Sequence, residues 1–163
     1  MADMSIFTAI QMGAQGMSAE RTRLNIASMN LANAQVTRTV DGGPYVPRSV
    51  VFEAVPYNPE ESGVNTGMSP LVPVKSFDNA LQKASARLET VRVKEVVEDK
   101  FPFKEVYDPS HPDADENGIV RLPNVNVMEQ MVDVMNASRA YEANVTAINT
   151  AKSMAMKAME LGK

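Results

Sequence analysis

Cysteine is absent from all 163 residues, which removes disulfide staples, thiolate zinc sites and cysteine nucleophiles together. The redox compartment stays open, because a chain without thiols tolerates either environment. Histidine occurs once, at His111 within the turn-forming run Pro109-Ser110-His111-Pro112. One imidazole in a turn does not assemble a zinc triad or a relay of nucleophile, base and orienter. No run of 18 or more apolar residues is present to span a bilayer, so direct membrane insertion is not expected. Asp3 stands where a cleavable signal peptide would carry positive charge, and export would need another route. The formal charge of -4 offers no basic footprint for a phosphate backbone, which sets nucleic acid aside as a partner. Gly42-Gly43 is not followed by a helix start able to hold phosphate. The carboxylates are scattered and read as a solvated surface. These absences describe a non-enzyme with no cofactor and no metal.

Proline is confined as well: all ten lie between Ala34 and Pro123, dividing the chain into three zones. In the first, Phe7, Ile10, Ala14, Met17, Leu24 and Leu31 recur at three- and four-residue steps, a helical stripe. A helix over these roughly thirty residues would be about 45 Å long. In the last, Asn126 is an expected N-cap with Glu129 three residues on, a capping-box arrangement. Val127, Met131, Val134, Tyr141, Val145, Ile148, Ala155 and Met159 then follow the same spacing, broken by Ser138 and Lys152, with Gly162 as the stop. This helix would be about 50 Å long.

The middle zone is rich in turn formers. Tyr45 to Phe52 and Val91 to Val97 read as short strands, with Gly118 to Leu122 a weaker third. Asp41-Gly42-Gly43-Pro44 marks a turn, Asn58 to Ser76 a loop, and Asp78 to Glu89 a short helix with Ala80, Leu81, Ala84 and Leu88 on one side. Asp113-Ala114-Asp115-Glu116-Asn117-Gly118 fits the first half of a calcium-binding EF loop. Its second half fails, because Asn124 occupies the position of the bidentate glutamate. An exposed, acidic, Asx-rich turn is the simpler reading.

Apolar residues off the stripes carry the functional inference. Met4, Ile6, Met12, Ile26 and Met29 add apolar surface to the first helix; Met128, Val132, Met135, Met154, Met156 and Leu161 do so in the last. An aliphatic side chain left in water forfeits roughly 1.5 to 3 kcal/mol, so helices apolar on several sides call for neighbours. Of twelve methionines, all but Met68 lie in the terminal zones, and methionine fills gaps of differing shape. Ordinary core filling within a helical hairpin is the alternative. Gly13 and Gly16 each cost about 1 kcal/mol against alanine in a helix. They mark either close approach of another backbone or a break.

Leu24-Asn25-Ile26-Ala27-Ser28-Met29-Asn30-Leu31-Ala32-Asn33-Ala34 resembles the amino-terminal signature of the bacterial flagellar rod, hook and hook-associated proteins, with Asn30 and Asn33 as its bracketing pair. Asparagine suits a helix end because it tolerates non-helical backbone and bonds freed carbonyls. Thr37-Arg38-Thr39, Gly42-Gly43-Pro44-Tyr45, Val106-Tyr107-Asp108-Pro109, His111 to Gly118, Pro123 to Val127, Ala137 to Asn144 and Asn149 to Met154 are similar to the basal-body rod family, in particular its proximal rod members. Gln35-Val36 departs from the usual step after the signature, and the stretch from about 58 to 89 looks longer than is typical.

The resemblance implies an α+β chain in which the terminal helices pair as an antiparallel coiled coil lining the rod's channel. A first helix would occupy 1–34, a β-rich middle 35–123 with its long loop or insertion at about 58–89, and a second helix 124–163. It implies a subunit exported through the flagellar type III apparatus without a cleavable signal peptide, assembling in the periplasmic rod of the basal body and transmitting torque. Partners would be copies of itself, other proximal rod proteins and the distal rod. Subunit packing would fall to Phe7, Ile10, Met17, Leu24, Asn30, Leu31 and Asn33 on the first helix, and to Met131, Val134, Tyr141, Val145, Ile148 and Met159 on the second. The rival readings are a cytosolic helical-hairpin adaptor or export chaperone, and a calcium-responsive domain.

Overall fold

The computed structural model describes residues 2–40, 42–56 and 88–161. Met1, Asp41, the expected loop from 58 to 76, Met68, the expected helix over 78 to 87 and Gly162 lie outside the described residues, as does the Met4 side chain. Two long helices frame two small antiparallel ribbons, an α+β arrangement. Helix α1 spans Ala2–Ala32 and α2 spans Val127–Leu161, about 46 and 52 Å at 1.5 Å per residue. Strand β1 is Arg48–Pro56, β2 Glu89–Glu98, β3 Phe103–Tyr107 and β4 Ile119–Pro123.

The helix ends follow from local chemistry. Asn126 Oδ1 accepts the Met128 N–H at 3.2 Å, capping one of the free amides at the start of α2. Glu129 adds negative charge in the first turn, where the helix dipole favours it. At the end of α1, Asn33 donates from its backbone N–H and from Nδ2 to Met29 O, at 3.0 and 2.8 Å.

β1 pairs with β2 from Arg48↔Glu98 to Pro56↔Glu89, with a bulge between Val51 and Phe52. The strand expected from Tyr45 instead starts at Arg48, because Pro47 has no N–H for a ladder. Tyr45 N–H is already given to Val36 O at 3.1 Å. Glu89, expected to end a short helix, is the first residue of β2. β3, which no alternation in Phe103-Lys104-Glu105-Val106-Tyr107 announces, pairs with β4 from Phe103↔Pro123 to Tyr107↔Ile119. Gly118 is excluded from β4 by its φ of +73°, a turn conformation that glycine adopts without Cβ strain.

The buried core is small. Ala19, Ala27, Ala34, Val120, Val125 and Ala137 are its buried hydrophobic residues among those described. Four of these are alanines, whose methyl groups contribute about 0.8 kcal/mol each on burial. Little large apolar surface is enclosed.

Candidate assembly surface

α1 and α2 lie side by side, and the contacts between them run in opposite chain senses. Gly13 lies against Ile148 and Gly16 against Asn144. Arg23 Nη2 reaches Asp133 Oδ1 at 2.6 Å, and Asn30 Nδ2 reaches Gln130 Oε1 at 3.1 Å. α1 is unbroken through both glycines, and a Cβ on Gly13 would stand 2.8 Å from Ile148 Cγ1. Close approach, rather than a break, is what those glycines provide.

These glycine and polar contacts are displaced from the apolar stripes by one residue. On α1 they are Gly13, Gly16, Arg23 and Asn30, each just before Ala14, Met17, Leu24 and Leu31. On α2 they are Gln130, Asp133 and Asn144, each just before Met131, Val134 and Val145, and only Ile148 belongs to both sets. One residue is about 100° of helix rotation. Small and hydrogen-bonding groups therefore lie between the helices at these points, about 100° around each helix from stripe residues such as Met17, Leu24 and Val134, which are half-buried.

Among the residues expected to pack subunits, Ile10, Met17, Leu24, Leu31, Asn33, Val134, Val145 and Ile148 are half-buried. Phe7 is 70% exposed and Met159 65%, with Met131 and Tyr141 also exposed. The off-stripe methionines behave likewise: Met29, Met128, Met135, Met154 and Met156 are exposed. On α2, Met128, Met131, Val132 and Met135 fall at i, i+3, i+4 and i+7, so they share one outward patch.

Asn30 is different, being 4% exposed. Its Nδ2 donates to Arg48 O at 2.7 Å and to Gln130 Oε1, and its Oδ1 accepts from Tyr45 O–H at 3.0 Å and Arg48 N–H at 3.1 Å. Both donors and both acceptor sites of the amide are filled. The carbonyl-bonding role expected of both asparagines belongs to Asn33 alone; Asn30 joins α1, α2, the loop at Tyr45 and β1. Burial raises the Tyr45 phenol above its ordinary value of 10.0, and the Arg48 charge opposes that shift. β2 is also tied to α1, through Thr90 Oγ1 donating to Gln15 Oε1.

A groove of about 280 Å³ lies beside this junction, lined by Arg23, Asn30, Arg48, Phe52, Gln130 and Asp133 among others. Among its polar groups, Arg23 is paired with Asp133, Asn30 with Gln130 and the Arg48 backbone, and the Arg48 guanidinium reaches Glu98 outside the groove at 3.6 Å. In the acidic turn, Asp113 Oδ2 accepts from Thr37 Oγ1 at 2.7 Å, and Asp115 N–H donates to Ile119 O at 3.0 Å. No three acidic or histidine side chains approach as a metal-ligand set among the described residues. No helix among them is long and apolar enough to cross a membrane.

Residues 116–161 match the family model of the C-terminal region of flagellar basal-body rod FlgEFG proteins. The flagellar basal-body rod protein FlgC of Borreliella burgdorferi is 41% identical over 162 residues, covering 97% of this chain and 98% of the relative. Those of Bacillus subtilis and Salmonella typhimurium are 37% and 36% identical, covering 98% of this chain and the whole of each relative. Identity at that level over nearly the full length establishes the family. The chain belongs to the FlgC family of flagellar basal-body rod proteins, which are structural proteins and not enzymes.

Proposed function

We propose that this chain is a structural subunit of the proximal rod, built into the basal body through its two terminal helices. The observation that carries the reading is the distribution of apolar groups on those helices. Glycine and polar contacts join the helices at Gly13, Gly16 and Arg23, while Phe7, Met128, Met135, Met154 and Met159 are exposed. Each exposed aliphatic or thioether side chain covered by a neighbour contributes roughly 1.5 to 3 kcal/mol. Phe7, Met131, Tyr141 and Met159, with the half-buried members of the two stripes, are the subunit-packing set, and Asn30 and Asn33 hold the geometry of the helix end.

In this reading the helices form an antiparallel coiled coil within residues 1–34 and 124–163, beside the rod's export channel, with 35–123 outside. Copies of the same chain, other proximal rod proteins and the distal rod supply the covering surfaces, and torque passes through the packed helices. The subunit reaches the periplasmic rod through the type III export apparatus without a cleavable signal peptide. The names of the relatives and the spread of apolar surface support this. Electron microscopy of basal bodies from cells lacking the chain is the test. The rod beyond the inner rings should be missing, and an intact rod ends the reading.

A further inference from the structure

All six methionines of α2, Met128, Met131, Met135, Met154, Met156 and Met159, are exposed, from 44% at Met131 to 70% at Met128. Those of α1 divide: Met29 is exposed, whereas Met12 and Met17 are half-buried. A thioether takes up an oxygen atom from a peroxide where the reagent can reach the sulfur. Thiolates would compete for the oxidant, but the chain has no cysteine. The accessible sulfur of the described residues is therefore concentrated on one helix. Exposure also separates it from the groups that join α2 to α1: Gln130, Asp133, Asn144 and Ile148 make the contacts given above, and Ala137 is fully buried.

We propose that the methionines of α2 are a modification site: hydrogen peroxide converts them to sulfoxides in the unassembled subunit, and the oxidised surface no longer packs against a neighbour. In each step an S–O bond forms and the peroxide O–O bond breaks. Sulfur loses two electrons, and the second peroxide oxygen leaves as water after taking the proton of the transferred one. A sulfoxide is polar where the thioether was apolar, so enclosing it under an apolar neighbour becomes unfavourable. Met128, Met131 and Met135 share one patch with Val132, so three sulfoxides fall together there. The pairing of α1 with α2 persists, because the oxidised groups stand in water on the paired helices. Once neighbours cover the sulfurs the oxidant is kept out, which makes the modification a mark of free subunits. The loss of packing rests on the proposed role of these helices in assembly; the order of oxidation rests on exposure alone.

The test starts with the full chain in dilute solution, treated with graded hydrogen peroxide and mapped by peptide mass spectrometry. The α2 methionines should each gain one oxygen at doses that leave Met12 and Met17 unmodified, while the far-UV circular dichroism keeps its helical signal. Oxidation of Met12 and Met17 in step with α2, or loss of helix as α2 is oxidised, overturns the proposal. The second arm substitutes Met→Leu at all six α2 positions, which holds the apolar volume nearly constant and removes the sulfur. In cells given peroxide while new basal bodies form, the parent chain should be depleted from isolated basal bodies and the leucine variant retained. Equal depletion of the two overturns the loss of packing. Should the leucine variant fail to fold, Met128→Gln, Met131→Gln and Met135→Gln together supply polarity without an oxidant, and incorporation at the parent level overturns it instead. A failed oxidation map leaves the rod reading standing, whereas an intact rod in cells lacking the chain removes that reading without altering the map.

Discussion

A single methyl group added at Gly13 sets two effects of opposite sign against each other. Alanine is favoured over glycine in a helix by about 1 kcal/mol. Its Cβ, however, would stand 2.8 Å from Ile148 Cγ1 and 3.1 Å from Cδ1. Cγ1 is one bond from a branched Cβ and has little freedom to swing aside. Overpacking of this kind costs about 1 to 3 kcal/mol, so Gly13→Ala should weaken helix pairing by a net amount of about 1 kcal/mol. Gly16→Ala is a control with the opposite expectation. Its nearest neighbour is Asn144 Nδ2 at 3.0 Å, the end of an amide that can turn away, so the gain in helix propensity should prevail. The assay is urea unfolding of the full chain followed by far-UV circular dichroism. Truncation by Ile148→Ala removes both clashing atoms, and in that background Gly13→Ala should become stabilising by about 1 kcal/mol. A Gly13→Ala chain as stable as its parent, with no change of sign when Ile148 is trimmed, refutes the view that close approach keeps glycine at this position.

Asn30→Ala removes four hydrogen bonds from the junction and should cost about 2 to 4 kcal/mol; a melting temperature within a degree of the parent would contradict the role given to it. The raised Tyr45 value makes stability depend on alkaline pH. The contribution of the protonated phenol is complete below about pH 10, the unfolded value, and is lost as pH rises through the folded value. Unfolding midpoints measured from pH 8 to 12 should fall further in the parent than in Tyr45→Phe. Asn126→Ala removes the cap on Met128 N–H and should cost about 1 kcal/mol of α2 stability, read as faster amide exchange in its first turn. Gly118→Ala places a Cβ on a residue at φ +73° and 3.0 Å from Tyr107 Cε2. A loss of about 1 to 2 kcal/mol is expected, checked by the exchange rates of the β3 and β4 amides.

How far the fold is legible in the sequence depends on whether its determinants are local. Both helices, the Asn126 cap and β2 come from neighbours along the chain, through apolar periodicity, a capping side chain and β-branched density. β3 carries no such signal, because Phe103 to Tyr107 is a strand by virtue of its pairing with Ile119 to Pro123. Glu89 likewise reads as a helix end only until Pro56 is found opposite it. The two asparagines look equivalent in the motif, yet one bonds the carbonyl of Met29 and the other joins four segments. What separates them is the location of Gln130, 100 residues away.

The sequence by itself determined that two long helices flank a strand-forming middle, and that both are apolar off their main stripes; the exposure of Phe7, Met128, Met154 and Met159 is read from the structure. The sequence also carries the family likeness. Tertiary structure alone decided which side of each helix faces the other. Periodicity weights the largest apolar side chains and so selects the stripes through Leu24 and Met131. The close and hydrogen-bonded contacts between the helices fall one residue earlier, at Gly13, Gly16, Arg23 and Asn30. That choice is a property of two surfaces meeting, and no single segment contains it.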